Sequence, residues 1–340
     1  MKRKVALTFC LAAILALFLM TTGEAATHRF KPTPAQYYYL FGGGKAALKV
    51  APGDRVILWC EDALNGKIRS TEDLASKSGQ RPNPQTGPIY VEGAEPGDTL
   101  AIKIVDIQFD RDYGWSPLPP YGGFLQSNQF TRMLQDPLPE VMYIYPINKE
   151  RKTTTFVSHL GKEGYSVEIP WDPFMGTLGT APAGGEHIDA LTPYWHGGNM
   201  DCVETKPGTT VYLPVNVPGA MWSTGDIHVT QGDGEIIGGA IEITGWVTID
   251  VLPLIKGKKV NTPRFENDEY LMSVGSIRPL DDCLRVAYGD MVDWLMEDYG
   301  LDRADAYQLL SQVGRVRVGN VVDTLYTVVA KFPKKYLPRK

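Results

Sequence analysis

The sequence predicts a mainly β protein: a sandwich- or barrel-like body of short strands, with a smaller C-terminal α/β portion. Three observations carry this. Thirty-five Gly and twenty-five Pro in 340 residues break the chain at many turns. Short apolar runs lie between those breaks, some alternating with polar residues. Helical periodicity enters only near residue 281.

The elements follow in order. Met1-Lys2-Arg3-Lys4 is a basic start, and Val5 to Met20 is an apolar run broken only by Thr8. Gly23 and Ala25 are small residues at the −3 and −1 positions of a cleavage site, so residues 1–25 read as a signal peptide cut after Ala25. The alternative is an uncleaved anchor. The mature chain is expected outside the cytoplasm, periplasmic or secreted, without stable membrane insertion once the signal is cut.

Pro52-Gly53-Asp54 leads into Arg55 to Trp59, and Pro96-Gly97-Asp98 leads into Thr99 to Val105. Pro207-Gly208-Thr209 does the same before Thr210 to Val215. Each pairs a preset φ with a positive one and then an apolar run, the signature of a turn entering a strand. Residues 110–135 are rich in Tyr, Trp, Pro and Gly without periodicity and read as a long loop. After residue 260 the character changes. Asp281 can cap a helix bearing Leu284, Ala287, Met291 and Leu295 on one face; Gly300 stops it; Asp302 starts a second helix; Val316 to Lys331 is strand-like. The expected organisation is a β-rich body over 26–260 carrying the active site, and an α/β portion over 261–340.

A composition of 43% hydrophobic and 21% charged residues is that of a globular protein. The formal net charge of −5 argues against nucleic-acid or anionic-membrane partners, which need a basic surface. Cys60, Cys202 and Cys283 follow the signal at spacings that match no zinc motif, and each reads as a buried thiol.

The densest polar cluster runs from Gly225-Asp226-Ile227-His228 to Gln231-Gly232-Asp233-Gly234-Glu235. On an extended strand Asp226 and His228 point to one side. Such a pair can ligate a divalent cation, or the carboxylate can orient the imidazole for proton transfer. The Gly-Asp-Gly turn returns the chain so that Glu235 comes near His228. A hairpin with a polar tip is the plain alternative. His196-Gly197-Gly198-Asn199-Met200-Asp201 is a second candidate, with glycines that admit close backbone approach. Phe174 to Glu186 is a third: Gly176 and Gly179 could form a narrow backbone wall against a small amide. No G-x-S-x-G elbow is present, and Cys202 beside Asp201 is poorly placed to ionise.

These stretches resemble the acetamidase/formamidase family. Asn83-Pro84-Gln85-Thr86-Gly87-Pro88 through Pro96-Gly97-Asp98 is similar to that family's NP-x-T-G-P…PGD entry into a strand. Phe174 to Glu186, Gly197 to Asp201, Val211 to Val215, Val217 to Ala220, and the run from Gly225 to Glu242 continue the match. The resemblance implies a β-rich fold, hydrolysis of short aliphatic amides, homo-oligomeric assembly and a divalent cation, zinc being the first choice. Carried over residue by residue, the polar positions are Asn199, Asp201, Asp226, His228, Gln231, Glu235 and Glu242. The expected assignment places Asp201, Asp226 and His228 on the cation, and Asn199, Gln231, Glu235 and Glu242 in catalysis. Gly176, Gly179, Gly197 and Gly198 line the small-amide site. The competing reading is an exported β-domain that binds a sugar or small molecule without catalysis.

Overall fold

The computed structural model describes residues 25–125 and 136–338. The expected signal segment, Ala25 apart, and residues 126–135 of the aromatic-rich loop lie outside the described residues. In chain order the first strands are β1 (Thr27–Phe30), β2 (Leu40–Phe41), β3 (Leu48–Val50), β4 (Arg55–Cys60), β5 (Thr86–Val91), β6 (Thr99–Phe109) and β7 (Tyr113–Leu118). Then come β8 (Val141–Asn148), β9 (Thr153–Val157), β10 (Ser166–Pro170), β11 (Phe174–Gly179), β12 (Ile188–Asp189), β13 (Gly197–Asn199) and β14 (Thr210–Pro214). Strands β15 (Trp222–His228), β16 (Glu242–Ile243), β17 (Gly245–Val251), β18 (Arg264–Glu266) and β19 (Tyr270–Ile277) precede the helices α1 (Leu280–Tyr299) and α2 (Arg303–Val313). Finally β20 (Arg315–Asn320) and β21 (Tyr326–Pro333) close the fold.

Two large sheets hold these strands. The nine-stranded sheet runs β1-β4-β17-β6-β14-β18-β19-β21-β20. The ten-stranded sheet follows β10-β9-β8-β7-β16-β15-β11-β13, with β5 beside β15 and β3 beside β5. Leu58, Ile102 and Ile249 of the first sheet share one buried core with Ile89, Leu178 and Ile227 of the second. Apolar faces of two sheets packed this way make a β-sandwich. The three strands that follow the Pro-Gly-Asp and Pro-Gly-Thr turns (β4, β6 and β14) lie in the nine-stranded sheet. Gly53, Gly97 and Gly208 take φ of 102°, 101° and 95°, the left-handed region each turn requires.

Two expectations need correcting. Residues 110–135 are not all loop, because β7 runs through them, pairing with β8 and meeting Glu242 at Trp115. Its Pro and aromatic content hides the alternation, and β16 covers only Trp115, which leaves Pro117 outside that ladder. In the C-terminal α/β portion, β18 to β21 extend the nine-stranded sheet of the body. Helix α1 packs on β19 and β21. Its cap is Pro279 rather than Asp281, and Asp281 and Asp282 fall in the first turn, where carboxylates favour the helix dipole. The other helix signals hold: Gly300 terminates α1 at φ 66°, and the Asp302 carboxylate accepts the Ala304 N–H at 2.8 Å to begin α2.

Candidate active site

The site forms where the ten-stranded sheet meets the last strands of the chain. Strand β15 is buried along its whole length, and His228 is its last residue. The register sets Phe174 of β11 across from His228 on one side and Glu242 of β16 on the other. Directly opposed residues share a face, so the hairpin delivers Glu242 to the imidazole. Asp226, two residues earlier, comes to the same side with φ 62°, and its Oδ1 lies 3.4 Å from His228 Nε2. Glu242 Oε1 lies 3.3 Å from the same nitrogen. The Phe174 ring meets the imidazole edge-to-face, with centroids 4.9 Å apart.

Asp201 enters from the turn after β13 with φ 48°, and Glu235 from the β15–β16 connection with φ 49°. Both are buried. Asp201, His228 and Glu235 present ligand atoms within 4.8 Å of one another, as do Asp226, His228 and Glu242. Strand β11 makes room for the carboxylates at Gly176. A Cβ there would stand 2.5 Å from Asp226 Oδ2, 2.7 Å from Asp201 Oδ1 and 3.0 Å from His228 Cε1.

A chain of side-chain amides leads to Asp201. Gln85 Nε2 donates to Asn83 Oδ1 at 2.6 Å, and Asn83 Nδ2 donates to Asn199 Oδ1 at 2.7 Å. Asn199 Nδ2 then donates to Asp201 Oδ2 at 2.8 Å and to Asp323 Oδ2 at 2.9 Å. Where these two carboxyl groups are ionised they can only accept, which fixes the orientation of each amide in turn. Thr177 Oγ1 also donates to Asn199 Oδ1, and Asn320 Nδ2 donates to Asp201 Oδ2 at 3.3 Å. Asp201 thus has one oxygen held, and the other, Oδ1, has no hydrogen-bond partner among the described residues.

Five carboxyl groups surround one imidazole here. Burial, then the charges of Glu235, Asp323 and Asp226, push Asp201 well above the usual carboxylate range. Burial also raises Glu235, reinforced by Asp323, Glu242 and Asp226 despite the opposing pull of His228. Burial lifts Glu242 and Asp323 to about 7 each. Burial opposes charge on His228, but Glu242 and Asp226 outweigh it and hold the ring well above its ordinary value. Asp226 is pushed up by burial and pulled further down by His228, ending below its ordinary value.

Such crowding of negative charge calls for protons or a cation. Among the described residues, Asp201 Oδ1, His228 Nε2 and Glu242 Oε2 are buried and find no aligned hydrogen-bond partner. Buried polar atoms are normally satisfied. Three orphans spread over two carboxylate triads that share one imidazole fit a divalent metal ion.

The expected site residues are brought together, with some changes of role. Asp201, Asp226, His228, Glu235 and Glu242 form the centre, and Gln231 supports it through His228 Nδ1 at 3.0 Å. Asn199 has both Nδ2 protons committed to Asp201 and Asp323, so it positions carboxylates and has no donor left for a substrate oxyanion. Of the four glycines, only Gly176 borders the carboxylates. A Cβ at Gly179 would lie 2.6 Å from Gly198 N, one at Gly197 2.3 Å from Leu178 O, and one at Gly198 2.4 Å from Thr192 O. Those three serve close packing of backbone on backbone, a use that paired glycines suggest as readily as ligand contact.

His196 lies apart, edge-on to Phe41 with centroids 4.8 Å apart. The Cys202 thiol is pushed up, by burial first and then by Glu204, and Cys60 and Cys283 are buried and free as expected. Asn320 and Asp323 come from the C-terminal portion, so the centre is not confined to residues 26–260. No local pattern marked either one. Asn83 and Gln85 stood in the Asn-Pro-Gln-Thr motif, but their role depends on contacts more than a hundred residues away.

The Acetamidase/Formamidase family profile matches residues 45–188 and 183–335. The chain is 29% identical to a formamidase of Methylophilus methylotrophus over 265 residues, covering 64% of each chain. It is 30% identical to an acetamidase of Mycolicibacterium smegmatis over 265 residues, 62% of this chain and 64% of that one. It therefore spans just under two thirds of the length of these curated relatives. The crystal structure of an acetamidase from Yersinia enterocolitica superposes with a TM-score of 0.86 at 39% identity, covering 93% of this chain and 94% of that one. An acetamidase from Bacillus halodurans gives 0.78 at 31% identity, over 91% and 98% of the two chains. With its profile matched from residue 45 to residue 335, the chain belongs to the acetamidase/formamidase family.

Proposed function

We propose that the chain hydrolyses small linear carboxamides of the formamide and acetamide kind, giving a carboxylate and ammonia at the His228 centre. The observation that carries this is a pair of buried ligand triads, Asp201–His228–Glu235 and Asp226–His228–Glu242, that share one imidazole and hold the orphaned Asp201 Oδ1, His228 Nε2 and Glu242 Oε2. Relatives named formamidase and acetamidase support the substrate class.

Asp201, Asp226 and His228 would hold a divalent cation, with zinc suited to an imidazole and carboxylate set. When bound, such an ion supplies positive charge that polarises an amide carbonyl and acidifies water. The chain's own residues do the rest. Glu242, at about 7, exchanges protons at neutral pH, so it can take one from the attacking water and return one to the departing nitrogen. That second transfer is obligatory, because an amide anion is a very poor leaving group. Glu235 stands beside it as a further proton carrier. Gln231 holds the imidazole in place, and Asn199 with Asn320 holds Asp201. Export from the cytoplasm and assembly into a homo-oligomer belong to the same reading.

The test is ammonia release from a panel of short amides, before and after dialysis against a chelator, with zinc added back. Turnover that falls on chelation and returns with the ion supports the scheme, and Glu242→Gln should lower kcat about 100-fold. Undiminished activity after complete metal removal overturns the cation's part. No turnover on any amide overturns hydrolysis and leaves the exported binding domain as the reading.

A further inference from the structure

The carboxylate of Asp54 sits in the first Pro-Gly-Asp turn, 7% exposed. Its Oδ2 accepts the Ala51 N–H at 2.9 Å and meets His28 Nε2 at 2.8 Å. Its Oδ1 accepts the backbone N–H of Ala26 at 2.9 Å. Ala26 is the residue just past the cleavage position read from Gly23 and Ala25, and both Ala25 and Ala26 are exposed. Thr27 immediately begins β1, which lies parallel to β4 at the edge of the nine-stranded sheet.

The second Pro-Gly-Asp turn shows what such a carboxylate can hold. Asp98, 3% exposed, accepts the Glu95 N–H three residues before it at 2.9 Å, as Asp54 accepts that of Ala51. It also accepts the Gly257 N–H on Oδ1 at 2.9 Å, and the Lys256 ammonium binds Oδ2 at 2.5 Å. Asp98 therefore has a full ammonium partner within the chain. In the first turn the corresponding groups are the imidazole of His28 and the nitrogen of Ala26.

We propose that Ala25–Ala26 is a processing site, and that its hydrolysis creates an α-ammonium on Ala26 that pairs with Asp54 and pins β1 onto the sheet. The step is ordinary peptide hydrolysis: the C–N bond breaks, water's oxygen joins the Ala25 carbonyl carbon, which leaves with the leader as a carboxylate, and both of water's hydrogens end on the Ala26 nitrogen, making it an ammonium. The peptidase class is one that reads small side chains at the first and third positions before the bond. Only this bond puts the charge on Asp54. A cut one residue earlier leaves a neutral amide there, and a cut one residue later removes the nitrogen. The proposal rests on the export reading above, but not on amide hydrolysis.

Two measurements test it. The full chain, expressed with its leader in a secreting host, should give an intact mass that begins at Ala26. A start at any other residue, or retention of the leader, overturns the assignment, whatever the amide assay shows. The processed protein should then melt about 2 °C above the same chain carrying one extra N-terminal Gly. That difference should vanish in an Asp54→Asn background. N-acetylation of Ala26 keeps Asp54 and an N–H donor but removes the charge, so it gives the comparison without altering the carboxylate. Equal melting temperatures for the free and acetylated termini would overturn the ion pair.

Discussion

Gln231 Oε1 lies 3.0 Å from His228 Nδ1, and the other end of the same amide is fully used. Gln231 Nε2 donates to Asp201 O at 2.9 Å and to Gly319 O at 3.1 Å. With its donors committed to carbonyls, Gln231 can offer the ring only an acceptor, so Nδ1 carries a proton. In neutral His228 the lone pair is then on Nε2, aimed at Asp226 and Glu242. Gln231→Met removes that selection at similar size. The expected result is a 10- to 100-fold loss of kcat/KM on a small amide and of zinc affinity by equilibrium dialysis, about what loss of such a supporting contact costs. Unchanged zinc affinity would show that Gln231 does not set the tautomer.

Gly176 makes a sharper prediction, because its part is to be empty. A methyl there would stand under 3 Å from oxygens of both Asp201 and Asp226. Asp201 is fixed by Asn199 and Asn320, so displacing it means breaking buried hydrogen bonds. Gly176→Ala should cost about 100-fold in kcat, the scale of an ångström's misplacement at a reacting centre. The melting temperature measured alongside separates this from collapse of β11. Full activity in a folded Gly176→Ala protein would mean that the two carboxylates do not work as placed.

The amide chain can be tested at Asn83, which touches none of the proposed cation ligands. Asn83→Asp keeps the shape but removes the N–H that satisfies Asn199 Oδ1 at 2.7 Å. Asn199 must then face an acceptor with an acceptor, or rotate and turn its oxygen toward Asp201. Either outcome leaves a buried polar atom unpaired, a cost of about 1–3 kcal/mol. The variant should unfold at correspondingly lower denaturant and lose about tenfold in kcat, with KM less affected. A stability loss with kcat intact would confine Asn83 to the fold.

These cases also mark what the sequence could reveal. Asp226, His228, Glu235 and Glu242 were legible because a strand's alternation and one hairpin bring them together within seventeen residues. Asp201 was legible from its glycine-flanked motif, and the helices from their caps. Asn320 and Asp323 were not, since nothing near them signals that the end of β20 and the connection after it deliver them to Asp201 and Asn199. Asn199 shows a related limit: a carboxamide's use depends on which neighbours claim its protons first, and here Asp201 and Asp323 accept them. β7 escaped because Pro117 and its aromatic neighbours mask strand alternation.

His196 gives a prediction about stability rather than chemistry. It is fully buried, and neither ring nitrogen finds a partner among the described residues. Burial lowers its pKa from 6.5 to about 3. Between those values the unfolded chain binds a proton at this position and the folded one does not. The contribution of His196 is therefore whole above pH 6.5 and is lost progressively as pH falls toward 3, at about 1.4 kcal/mol per pH unit. Carboxyl groups elsewhere in the protein ordinarily titrate in this window, so the total slope of stability against pH says little by itself. The difference between wild type and His196→Phe isolates one proton, because Phe keeps an aromatic edge for Phe41 and forfeits no hydrogen bond. Chemical denaturation between pH 6.5 and 4 should show the variant losing stability less steeply by about one proton's worth, even if its absolute stability shifts with the larger ring. Parallel slopes would mean that His196 gains its proton in the folded protein, and so that its pocket admits water.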